Sequence, residues 1–186
     1  MAKQFEVTST AVRQHLDDLE TGGVVESSEP ISRGGRGRPA VVWSLTPGAR
    51  TLFPDRHADL TVELIDSIRE ALGDDGLDTV ITTRSARQRA AYANALDGTP
   101  VRLRASALAE MRTAEGYLAE IVDNDDGSLI LVEHHCPICD AAAACQNLCR
   151  DELATFESLF DGQATVEREQ HLLGGDKRCA YRITEL

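Results

Sequence analysis

The sequence predicts an α+β chain with a small N-terminal head, a linking helix and a larger mixed α/β body built on antiparallel strands. Three observations predict it. Residues 1–55 read as a helix followed by a two-strand hairpin. From residue 57 to about 113, apolar residues recur at helical spacing. Beyond residue 116, short strand-like runs flank one more helix and a group of closely spaced cysteines. The expected divisions are 1–55 for the head, 56–75 for the linking helix and 76–186 for the cysteine-bearing body.

A chain of 186 residues has room for a packed core in one large domain or two small ones. Its 42% hydrophobic and 27% charged residues are ordinary for a soluble globular protein. No apolar run approaches a membrane span, and no charged-then-apolar leader opens the chain, so a cytoplasmic location without a membrane partner is expected. Reducing buffers there keep thiols free, and five cysteines then favour metal or redox roles over a disulfide framework. The net charge of −12 is unevenly spread. Residues 1–60 hold seven Lys and Arg against eight Asp and Glu, while the remaining 126 hold 12 against 23. A near-neutral head with clustered arginines can meet phosphates, because binding follows the contacting patch more than the whole-chain charge.

In the head, Thr8 or Ser9 is placed to cap a helix in which Val12, Leu16 and Leu19 form one apolar face, and Gly22-Gly23 ends it. Ser9, Thr10, Arg13 and Gln14 fall on or near the opposite, N-terminal face, the end that a recognition helix offers to base edges and phosphates. Val24 to Ser28 and Ala40 to Leu45 read as antiparallel strands. Between them Arg33, Arg36 and Arg38 are spaced by glycines, a cationic tip suited to phosphates or a minor groove. The plainer reading of that tip is a solvated turn whose arginines aid solubility.

This order, carried by TSTAVRQHLDDLETGGVVE and GRGRPAVVWSLTPGA, resembles the winged helix-turn-helix of bacterial transcriptional regulators. The resemblance implies a double-stranded DNA operator as partner. Such domains carry further helices ahead of the turn and only Met1 to Gln4 stand there, which implies a head shortened at its N-terminus, its first helix missing.

After Pro54, the residues Leu60, Leu64, Ile65 and Ile68 make an amphipathic stripe that Leu72 and Gly73 close. A linking helix that pairs with its copy in a homodimer is expected here, since palindromic sites demand two heads. Packing onto the rest of the chain is the alternative. Helices are expected over about 78–96 and 101–113. Strands at 116–122 and 128–133 are expected to be joined by the acidic turn 123–127, which lacks the later glutamate of a calcium loop. No P-loop, GxGxxG, GxSxG or HExxH signature is present, and no enzyme is expected.

The cysteines carry the chemistry. Cys136, Cys139, Cys145 and Cys149 fall within fourteen residues, and Cys179 follows late. One helix over about 141–160 is expected to put Cys145 and Cys149 on a shared face, with Cys136 and Cys139 in the loop ahead. A closing hairpin, 166–173 with 179–183, would bring Cys179 back over the helix start. Thiolates gathered this way hold a metal or an iron–sulfur cluster, form disulfides, or run redox chemistry. Zinc would take Cys136, Cys139, Cys145 and Cys149 at a spacing tighter than the usual knuckles, leaving Cys179 over. Redox sensing through Cys145 and Cys149 is a further option, and a buried free cysteine without a role is the plainest one.

The stretches CPICDAAAACQNLCRDELATFESLF and VEREQHLLGGDKRCAYRI resemble the C-terminal half of SufR-type iron–sulfur-responsive repressors. In that family a cysteine before proline, a second after twelve residues and a late cysteine following Gly-Asp hold the cluster. That implies Cys136, Cys149 and Cys179 as ligands of a 4Fe–4S or 2Fe–2S cluster, with zinc the alternative. Some members carry a further cysteine between the last two; this chain has none there, and has Cys139 and Cys145 as extras. The fourth ligand is therefore open among Cys139, Cys145, His134, His135 and a non-protein ligand, with Cys139 favoured by its nearness to Cys136. Together the two resemblances imply a homodimeric repressor whose operator affinity follows the cluster, in response to oxidative stress, nitric oxide or iron status. The rival readings are a zinc-stabilised regulator that senses a ligand and a cofactor-binding accessory domain with no DNA role.

Overall fold

The computed structural model describes residues 6–28 and 41–186. The chain divides into two compact units, Met1–Arg56 and His57–Leu186. It is an α+β protein with two antiparallel sheets, one of two strands and one of four. Among the described residues no helix is long and apolar enough to cross a membrane.

In the first unit, Thr8 caps α1 (Ser9–Thr21) by accepting the Ala11 N–H at 3.2 Å. β1 (Val25–Ser28) pairs with β2 (Val42–Leu45) in the register Val25↔Leu45. Glu20 ties helix to hairpin by accepting the Ser27 N–H at 2.9 Å and its hydroxyl at 2.6 Å. The expected apolar face of α1 is only partly covered. Val12 and Leu16 are half-buried, Leu19 is exposed, and no residue of α1 is buried. One helix against a two-stranded hairpin leaves most of both surfaces in solvent. The tip carrying Arg33, Arg36 and Arg38 lies outside the described residues.

The second unit opens with α2 (His57–Leu96), in which the two helices expected from the sequence abut at Gly73. There the backbone takes φ 73° and ψ 178°, a combination essentially confined to glycine. Three residues on, a Cβ at Gly76 would come within 2.4 Å of the Leu72 Cβ, so the tight junction needs glycine twice. The apolar stripe also divides. Ile65 is buried and Ile68 half-buried, whereas Leu60, Leu64 and Leu72 are 51%, 53% and 62% exposed. Residues 56–75, read as a separate link, are thus largely the first part of α2.

α3 (Val101–Ala114) leads to β3 (Ala119–Asp123) and β4 (Leu129–Glu133), an antiparallel hairpin over the expected acidic turn. α4 (Cys139–Ala144), α5 (Asn147–Leu159), β5 (Ala164–Gln170) and β6 (Cys179–Glu185) complete the unit. The strand order is β3-β4-β6-β5, so the last strand enters between two earlier ones. Side chains alternate across a strand, and one face presents Leu129, Leu131 and Glu133 from β4, Ile183, Tyr181 and Cys179 from β6, and Val166 and Arg168 from β5. That face grades from apolar to charged along its length. Its apolar end joins Leu108, Phe156, Leu159 and Phe160 in the main core. A second, smaller core packs Ile65, Leu77 and Ile81 of α2 against Ala141, Cys145 and Leu148.

At Gly73 an added methyl group would meet nothing within 4 Å, so the cost of Gly73→Ala is the backbone strain alone. It should lower stability by about 1–3 kcal/mol, measured by urea unfolding.

Candidate metal centre

The expected single helix over 141–160 does not form. Cys145 is extended at φ −145°, ψ 95°, and separates α4 from α5, so Cys145 and Cys149 do not share a helical face. The break is held by α2, where Arg69 meets a carbonyl that an unbroken helix would have satisfied internally and Asp78 holds side chains at the start of α5. Arg69 donates to the Ala144 carbonyl at 2.8 Å, and Asp78 accepts from Asn147 at 2.9 Å and from Arg150 at 2.7 Å. Cys145 turns into the apolar core beside Ile65, Leu77 and Ile81.

The other four cysteines come from three places in the chain. β4 ends at Glu133, which faces Cys179 at the start of β6. The chain then runs through His134 and His135 to Cys136. The His135 N–H donates to the Tyr117 carbonyl at 3.0 Å, which moors this loop to the one before β3. Cys139 opens α4, its N–H reaching the Cys136 carbonyl at 3.3 Å. Cys149 lies in the first turn of α5, on the side that continues through Glu152 and Phe156 at helical spacing. Phe156 packs edge-on against Tyr181 with ring centroids 4.9 Å apart, which lays this side of α5 on the sheet.

The thiols lie within one another's electrostatic reach. Burial pushes the Cys136 thiol up to about 12, and Cys139, Glu152 and Cys179 add to the effect. Cys149 is pushed up to about 11, by burial first and then by Glu152, Cys179 and Cys139, with Arg168 opposing. Burial and Glu152 also raise Cys179, against a 3.5 Å hydrogen bond from the Leu172 N–H to its Sγ. Cys136, Cys149 and Cys179 thus hold their protons more tightly than an ordinary thiol, the reverse of the enhanced acidity of a reactive thiolate pair. Among the described residues no three His, Cys, Asp or Glu side chains are grouped to hold a metal ion. His134 and His135 are exposed and engaged elsewhere, His134 Nε2 with Glu120 at 2.8 Å and His135 Nδ1 with the Gly116 carbonyl at 2.8 Å.

No family model matches the chain, and no curated protein does.

The soft, half-buried donor set suits zinc or an iron–sulfur cluster, and the polar surroundings of the thiols bear on that fit. Arg168, which donates to the Cys149 carbonyl, and His171, one residue before the Leu172 N–H that meets Cys179 Sγ, each hold a buried ring or guanidinium nitrogen with no hydrogen-bond partner among the described residues. Neither was singled out in the sequence. Arg168 could be found by counting strand alternation back from the late hairpin, and Glu152 by its three-residue step from Cys149; His171 carries no such signal.

Beneath the thiols Arg112, 1% exposed, binds Glu133 at 2.6 Å, Glu115 at 3.2 Å and Glu152, and lies over the Tyr117 ring with 3.3 Å to its centroid. Tyr181 donates to the same Glu152 at 2.7 Å. Burial pushes Glu133 up to about 7 even with Arg112 beside it, and Glu152 adds to the rise. Removing the cation alone strands buried carboxylates, so Arg112→Met should cost about 3–5 kcal/mol. Adding Glu133→Leu should recover part of that loss in the same urea titration.

Proposed function

We propose that the chain is a homodimeric transcriptional repressor whose affinity for a DNA operator follows an iron–sulfur cluster held by Cys136, Cys149 and Cys179, with Cys139 as the fourth thiol. The observation that supports the reading is that these four half-buried thiols, from a loop running into a helix start, a second helix start and a strand start, lie within one another's electrostatic reach, though they are not drawn together as ligands of a single ion. In a 4Fe–4S cluster each thiolate binds its own iron, so the sulfurs need not converge on one point as they must around a single zinc. When bound, such a cluster supplies a cross-link that oxygen, nitric oxide or iron shortage can dismantle.

The chain's own contacts support a route from this neighbourhood to α2. The corner between α4 and α5 is latched by Arg69 ahead of Gly73 and by Asp78 behind it. Displacing Cys149 therefore loads both sides of the break in α2. Leu60, Leu64 and Leu72, exposed on the first part of that helix, suit pairing with a second copy. In the head, Ser9, Thr10, Arg13 and Gln14 are exposed, and the first turn of α1 carries no acidic residue. That end of the helix, with its unpaired N–H groups, favours a phosphate. Arg33, Arg36 and Arg38 add their charge from the sequence.

The first measurement is iron, acid-labile sulfide and zinc on anaerobically purified protein, followed by gel shifts against genomic operator fragments before and after aeration. Equal iron and sulfide, with DNA affinity falling at least tenfold on aeration, is expected. Zinc alone in a colourless sample would reduce the cysteines to a structural staple. Cys149→Ser should lose iron and bind DNA as weakly before aeration as after it. Asp78→Ala should keep its iron while the aeration response shrinks to a few-fold; an unaltered response would sink the proposed route through α2.

A further inference from the structure

Among the described residues, four buried side-chain atoms lack a hydrogen-bond partner: the Nε atoms of Arg89, Arg104 and Arg168, and Nε2 of His171. The first two lie along a cleft of about 250 Å³ at the far end of α5, where Arg104 is already committed to the carbonyls of Leu159 and Thr99. Of the other two, Arg168 stands beside Cys149, and His171 precedes the residue whose N–H meets Cys179.

Arg168 faces Tyr181 across β5 and β6. Its Nη2 donates to the Cys149 carbonyl and reaches the Tyr181 hydroxyl at 3.5 Å, which fixes the guanidinium beside Cys149 and leaves Nε–H free. His171 is held by its backbone. Its N–H donates to the Asp176 carboxylate at 2.7 Å, and its carbonyl accepts from Gly174 at 2.8 Å. The next residue, Leu172, donates its N–H to Cys179 Sγ. Arg168 therefore borders Cys149, His171 is one residue from the contact to Cys179, and both lie within reach of Glu152, as Cys149 and Cys179 do.

We propose that Arg168 and His171 are positioning residues for the cluster, donating Nε–H and Nε2–H to its sulfurs, and that the Arg168 cation offsets the charge of thiolates crowded against Glu152 and Glu133. This rests on the cluster reading above. Donors to cluster sulfurs favour the more reduced, more negative state, so they raise its reduction potential and slow its loss.

The test uses the full chain, loaded anaerobically with iron and sulfide, as wild type and as Arg168→Met, Arg168→Lys, His171→Phe and His171→Gln. Reduction potential and the half-life of the visible absorption in air are read for each. Arg168→Met and His171→Phe should shift the potential negative and shorten the half-life several-fold. Lys at 168 and Gln at 171, which keep a charge or an N–H, should restore part of both. Wild-type potential and half-life in Arg168→Met and His171→Phe together would overturn the proposal while leaving the cluster reading intact. A wild-type chain that takes up neither iron nor sulfide would overturn both. If Arg168→Met fails to fold, as judged by far-ultraviolet circular dichroism, the loop variants at 171 carry the decision alone.

Discussion

Arg112 holds a full positive charge where water does not reach, and the second unit is arranged around making that tolerable. An isolated buried guanidinium is prohibitively costly. Here its donors are met by Glu133 at the end of β4, Glu152 on α5, Glu115 at the end of α3 and the hydroxyl of Tyr92 on α2, while the ring of Tyr117 covers its face. One side chain thus fixes three helices to the sheet. The same contacts explain why the sheet face becomes charged toward one end. Three carboxylates gather about Arg112, and Arg168 on β5 supplies the further cation near Glu152.

The thiols stand at that charged end rather than in the apolar core, and this sets their character. Carboxylates and partial burial favour neutral sulfur until a cation arrives, so taking up a metal must release protons from the site. Cys145 is packed differently. It belongs to the apolar contact between α2 and the α4–α5 corner, where a small, weakly polar side chain fits as a hydrophobe would.

Much of the architecture was legible from residue periodicity. The amphipathic helices, the hairpin over Asp123 to Gly127 and the late hairpin that returns Cys179 all declare themselves through apolar spacing and turn residues. The break at Cys145 did not, because an alanine-rich run followed by leucines and a phenylalanine satisfies a helical period straight through it. The break is held by Arg69 and Asp78, more than 60 residues earlier, bonding the Ala144 carbonyl and the Asn147 side chain. No local pattern encodes that. Cys145 packs into the smaller apolar core while the other four cysteines stay half-buried, and that difference hangs on the same break. Arg168 and His171 escaped notice for a related reason: a charged residue on a strand and a histidine in a turn look solvated until the strand order is known.

That strand order has a consequence for biosynthesis. β6 fills the gap between β4 and β5, and it carries Cys179 at its leading end. A chain emerging from the ribosome can form α2, α3 and the first hairpin early, yet the four-stranded sheet stays split until the residues of β6 are free. Through that interval Cys136, Cys139 and Cys149 are exposed without their fourth companion. Cys179 can join the other three only once β6 has paired, because that strand closes the sheet and is the last to bring a sulfur.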